Sequence, residues 1–215
     1  NMKKIIFWMV LIGSSLAILG SCAKDDDDAA STTSSSCATN TTASGSITVG
    51  SETMSGVYLS TCYAGFADMA GQQVFPSDTK SGMTAIVVTG DNAISEETLI
   101  YTDTACSTPS MTWKQGRSDF TLGSASGSNY AVTYKDATVK ILPSTDAAKS
   151  HMETFAAAVN LNVTFAVGTE TTVTSSQNTK YNLIYVTSTT VKTGDASDNA
   201  TPSVLDSMVM TKACE

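Results

Sequence analysis

The chain reads as an all-β protein with one helix, and most simply as an antiparallel barrel. Three observations predict this. From Ile47 to Thr211, short runs rich in β-branched and aromatic residues alternate with Gly, Asp, Asn and Pro turn signals. A stretch holding Ala148, Met152, Phe155, Ala156 and Val159 instead repeats its apolar positions at three and four residues, as a helix face does. Composition agrees: 15% charged residues, 4 prolines and abundant Ser, Thr, Gly and Val suit sheets joined by turns. A β-sandwich is the alternative, because period-2 patterning serves both architectures.

Taken in order, 56–62 predicts a first strand, and Gly65, Gly71 and Pro76 mark the loop after it. The runs 85–89 and 93–101 predict a hairpin across Gly90-Asp91-Asn92. Asp103 is expected to cap the turn before Cys106, and Pro109 finishes that turn. The run 111–120 predicts a strand around Trp113 with Gly116 as a bulge, followed by strands at 130–134 and 137–142. Pro143-Ser144-Thr145-Asp146 breaks the pattern, and Ser144 or Thr145 can cap the helix. Its apolar face is expected to pack on the barrel as a lid or flank. Strands resume at 162–167, 171–174, 181–191 and 204–211, giving roughly eight to ten in all.

Ahead of this 47–215 domain lie two segments of different character. Residues 1–21 carry Lys3 and Lys4 and then an apolar run from Ile5 to Leu19. That run is about 15 residues long, where a spanning helix needs roughly 20, so the layout predicts a secretory signal. Its end, Leu19-Gly20-Ser21-Cys22, resembles the lipobox of bacterial lipoproteins. The resemblance implies fatty chains on the Cys22 sulfur, removal of residues 1–21 and anchoring to a membrane. Residues 22–46 are acidic and then dominated by Ser, Thr and Ala, with almost nothing large and apolar to offset the entropy of ordering, which predicts a flexible tether. Cys22-Ala23-Lys24-Asp25-Asp26 is similar to the Lys-acidic export signal of surface lipoproteins in Bacteroidetes-type bacteria, with a solvated charge run as the alternative. Ala23 after the Cys looks like an outer-membrane destination. The expected location is therefore lipid-anchored at the outer membrane, with its cell surface as a second option.

Net charge is −8, and losing Lys3 and Lys4 takes it to −10. Without a basic patch to neutralise phosphates, nucleic acid is not an expected partner. Of 5 cysteines, acylation of Cys22 leaves Cys37, Cys62, Cys106 and Cys214, an even set suited to an oxidising compartment. Three pairings exist and spacing does not choose among them. The reading adopted is Cys62–Cys106 and Cys37–Cys214, against unpaired buried thiols. In the chain-entropy model these bridges contribute about 4 and about 5 kcal/mol as upper bounds.

Four further stretches, in this order, carry a second resemblance. They are Gly56-Val57-Tyr58 with Cys62, Tyr101-Thr102-Asp103-Thr104-Ala105-Cys106, 162–172 with its Ala-Val-Gly core, and Thr201-Pro202-Ser203-Val204-Leu205-Asp206. Together they resemble a lipocalin-like family of bacterial lipoproteins, distantly similar to the β-barrel domain of the animal Wnt antagonist down-regulated by adenomatosis polyposis coli. The resemblance implies a lipocalin-like barrel. Tyr58 departs from it where the family has Trp, and Ala200 or Thr201 where an Arg precedes the Pro.

Residues that carry chemistry are few. His151 is the single histidine and lies on the predicted helix among Lys149, Ser150 and Glu153, a solvated face and not a triad. No Cys-x-x-Cys occurs, so zinc and thioredoxin-like chemistry are not expected. Asp195, Asp198 and Asn199 lack the spacing of an EF-hand and read as a polar loop. Glu96 and Glu97 are adjacent on a strand, so they face opposite sides and cannot act as a pair. Tyr58, Tyr101, Trp113, Phe120, Tyr130, Phe165 and Tyr185 are the candidate lining of an apolar cavity, with core filling as the alternative. The expectation is a non-enzymatic, cofactor-free, lipid-anchored barrel that binds a small apolar ligand or lipid. The alternative is an envelope lipoprotein that presents loops to a protein partner.

Overall fold

Strand partners in this chain are mostly sequence neighbours, and the last strand returns to the third. The computed structural model describes residues 37–174 and 177–215, so residues 1–36, where the signal, Cys22 and most of the tether are expected, lie outside the described residues. The elements are β1 (Ile47–Val49), β2 (Glu52–Met54), β3 (Val57–Leu59), α1 (Phe66–Gly71), β4 (Ser81–Gly90), β5 (Ala93–Tyr101) and β6 (Pro109–Ser126). There follow β7 (Asn129–Pro143), α2 (Asp146–Ala158), β8 (Thr171–Thr174), β9 (Thr179–Val186), β10 (Thr190–Thr193) and β11 (Met210–Cys214). One sheet runs β6-β5-β4-β3-β11-β10-β9-β7, and β6 pairs again with β7, so eight antiparallel strands form a ring. β8 lies beside the second half of β7. A sheet that returns on itself is not the pair of facing sheets that a sandwich requires.

Alternation sets the interior. Ile94 and Ile100 share one face of β5, and Ile86 and Val88 share the matching face of β4. Near one mouth of the ring, Ile86, Val88 and Ile94 join Tyr58, Phe120, Val132, Tyr134, Ile184, Val186, Val191 and Met210 in an apolar cluster. The β1–β2 hairpin inserts Ile47, Val49 and Met54 into it. Near the other mouth, Ile100, Met111 and Ile141 meet Ala148, Met152 and Ala156 of α2, together with Phe66, Phe75 and Phe165. The helix therefore closes one end of the ring. Thr145 caps it, its Oγ1 accepting from the Ala148 amide at 3.1 Å, while Asp78 accepts from the Thr145 and Ser110 hydroxyls at 2.7 Å each.

Several elements differ from the sequence expectation, for tertiary reasons. The runs 130–134 and 137–142 are one strand, β7, broken only by a register shift near Asp136 and Ala137. The extra residue lies on β7, opposite Gly116, and a second shift on β6 falls at Asp119, whose φ is 54°. Gly116 itself is not the bulge; Thr138 packs closely over its Cα and leaves no room for a side chain. The run 162–167 forms no strand, because both sides of the neighbouring part of β7 are already paired, with β6 and β8. Val163 and Phe165 still pack in the second cluster. The run 181–191 divides into β9 and β10, and the last strand begins at Met210, after a loop over 194–209.

Candidate functional site: a charged belt inside the ring

Between the two apolar clusters, the inward positions of β5, β6, β7 and β9 are polar. On β5, Glu96 lies between Ile94 and Ile100 on the inner face. Arg117 of β6 is opposite Ile94, Asp136 of β7 is opposite Arg117, and Tyr134 is opposite Lys180 of β9. These register positions bring two cations and two carboxylates together. Arg117 donates to Glu96 Oε2 from Nε at 2.9 Å and from Nη2 at 2.7 Å, and from Nη1 to Asp136 Oδ1. Its guanidinium carbon lies 5.1 Å from the centre of the Tyr134 ring, a cation–π distance. Lys180 Nζ lies 3.8 Å from Asp136 Oδ2 and donates to Asp198 Oδ1 at 2.5 Å. Asn182 Nδ2 donates to the Tyr134 hydroxyl at 3.2 Å.

The belt is mostly buried. Lys180 is 2% exposed, and the network meets solvent at Asp198, 55% exposed in its side chain, and to a smaller extent at Glu96. Burial opposes the Arg117 cation, but the charge of the Glu96 carboxylate and its hydrogen bonds outweigh that cost and keep Arg117 above its ordinary pKa. Burial first, and then Glu96, raises the Tyr134 phenol well above its usual range, so it stays neutral and accepts from Asn182. Each cation meets a carboxylate. The arrangement holds charge in place and offers no nucleophile beside a base.

The sequence-derived aromatic set does not line one cavity. Tyr58, Phe120 and Tyr130 belong to the first cluster, and Phe120 stacks on Tyr134 at 6.1 Å between centroids. Trp113 and Phe165 belong to the second, where Trp113 meets Phe155 edge-on at 6.4 Å. Tyr101 packs with Ala85 and Leu99 in a third cluster, on the face of β5 opposite Glu96. The correction follows from the register: alternation sends Tyr101 outward, and the polar belt separates the other two groups. A cleft of about 310 Å³ opens beside the hairpin at the first mouth, lined by Val49, Ser51, Glu52, Gly127, Ser128, Tyr130, Tyr185, Val186 and Thr187.

The cysteines come together in two pairs, Cys62 with Cys106 and Cys37 with Cys214, with Cα atoms 5.9 and 6.3 Å apart. Asp103 accepts from the amides of Ala105, Ser107 and Thr108, in a turn that runs through Cys106, and the Thr108 and Ser107 bonds hold it well below the usual carboxylate range. His151 is half-buried on α2, and burial lowers its pKa despite a bond to Val74. Glu96 and Glu97 do face opposite sides; Glu97 bonds Ser95 and Thr39 on the outer face. Among the described residues, no three His, Cys, Asp or Glu side chains are grouped to hold a metal, and no helix is long and apolar enough to cross a membrane.

Sequence reasoning passed over Arg117, Asp136 and Lys180. One signal was available: Arg117 is the chain's single arginine, and it falls inside a strand pattern. No family model matches this chain, and no curated protein matches it.

Proposed function

We propose that this chain is a non-enzymatic, lipid-anchored lipoprotein of an outer membrane that works through its surface, presenting loops to a protein partner in the cell envelope. The observation that carries this reading is what faces the ring interior. Among the described residues, apolar clusters occupy its two ends and paired charges occupy its middle, a lining that suits packing and ion pairing more than an apolar lipid. The loop over 194–209 carries two exposed valines, Val204 and Val209, on the surface offered to a partner. A bound small apolar molecule is the second reading, and the cleft beside Tyr130 favours it.

Native mass spectrometry of the domain purified from its membrane separates the two. The expected mass is that of the lipidated chain alone. A stoichiometric co-purifying lipid that survives mild activation would overturn the surface reading in favour of the cleft. Anchoring through Cys22 predicts that Cys22→Ser moves the protein from the membrane fraction to the soluble fraction; retention in the membrane would sink it. Protease shaving of whole cells addresses which face is used.

A further inference from the structure

Residues 37–46 contain no Val, Ile, Leu, Met or aromatic side chain, so apolar burial does not seat them. They nonetheless lie along the outer face of the ring. The Thr39 hydroxyl donates to Glu97, Lys114 donates to Asn40 Oδ1, and the Ser44 amide donates to the Val88 carbonyl at 2.9 Å. Glu97 and Lys114 are register partners on β5 and β6, and are only 1% and 5% exposed. The segment turns into β1 at Gly45, whose φ is +69°, with its Cα tight against the Gly90–Asp91 backbone. Its other end is pinned by the Cys37–Cys214 bridge.

A few hydrogen bonds that exchange with water hold such a segment weakly. The bridge supplies the local concentration that keeps them formed. We propose that residues 37–46 are a thiol-releasable strap, with the Cys37–Cys214 bridge as its latch and Gly45 as its hinge. A dithiol reductant opens it. One thiolate attacks a bridge sulfur, breaking the S–S bond and forming a mixed disulfide. The second thiolate then displaces the remaining protein sulfur. Cys37 and Cys214 are left as thiols, and the reductant leaves as a disulfide, having supplied two electrons and two protons. The freed strap uncovers Glu97 and Lys114, a pair of opposite charges on neighbouring strands.

Amide hydrogen exchange on the full chain tests this. In the Cys37→Ser, Cys214→Ser variant, which keeps Cys62–Cys106, the Ser44 amide is expected to exchange about tenfold faster or more, while the β6–β7 amides stay as protected as in the parent. Unchanged exchange at Ser44 overturns the proposal. So does equal loss of protection around the whole ring, or failure of the variant to fold, since the bridge would then hold the fold and not a strap. A second measurement uses the unaltered chain with dithiothreitol and then oxidised glutathione. Peptide mapping reports the state of each bridge, and Ser44 should open and reclose with Cys37–Cys214. Protection persisting after that bridge is mapped as reduced overturns the latch.

Discussion

Arg117 lies where a cation is hardest to keep, between two apolar clusters, and Glu96 and Asp136 are what keep it. A buried ion pair is weak evidence of net stabilisation, but removing one member leaves the others uncompensated. Arg117→Met is therefore expected to destabilise the domain by about 3–5 kcal/mol, read as a lowered urea midpoint. Adding Glu96→Leu should recover part of that loss, because Lys180 still faces Asp136; strict additivity in the double-mutant cycle would show that the two residues do not interact. Asp206 shows the opposite logic. Burial, and then the charge and hydrogen bond of Asp195, push its pKa up to about 6. Its native state prefers the proton, so this contribution to stability is complete below its unfolded pKa and is lost as pH rises through about 6. Asp206→Asn should flatten the pH dependence of the urea midpoint between about pH 4 and 6. A carboxyl resonance of Asp206 titrating near its ordinary value would refute the cause.

At the scale of elements, α2 depends on one cap and one face. Thr145→Ala removes the bond to the Ala148 amide and one of the two bonds to Asp78, and should cost about 1 kcal/mol. Met152→Ala opens a cavity under the helix and should cost about 2–5 kcal/mol. Urea denaturation followed by circular dichroism measures both, and a larger loss for Thr145→Ala than for Met152→Ala would mean that the helix is not held by its buried face. The period of 148–159 already announced this helix, and Ser144 or Thr145 was its foreseeable cap. The β1–β2 hairpin was not foreseeable in the same way: its strands have three residues each, too short for alternation to stand out, and they gain meaning only from the mouth they plug.

Across the whole molecule, the Cys62–Cys106 bridge spans 44 residues and joins the loop after β3 to the turn before β6. Its removal should lower the unfolding free energy by up to about 4 kcal/mol, measured by denaturant titration of Cys62→Ser, Cys106→Ser. No change would place that bridge outside the cooperative unit. The ring is made by β11 returning to β3, with Cys214 beside Val57. No local signal marks that pairing.

The β-rich class, the helix Asp146–Ala158 and its cap, the Asp103 turn and the opposite facing of Glu96 and Glu97 were legible in the residues, because each follows from period, cap chemistry or alternation within a few positions. Long-range pairing set which side of each strand is inside, that Tyr101 points outward while Arg117 and Lys180 point inward, and that the run 162–167 forms no strand beyond one bridge from Ala166 to Thr169. Those outcomes depend on register between strands up to 157 residues apart, as where β11 meets β3 at Cys214 and Val57. A one-residue slip would reverse them all without altering any local pattern.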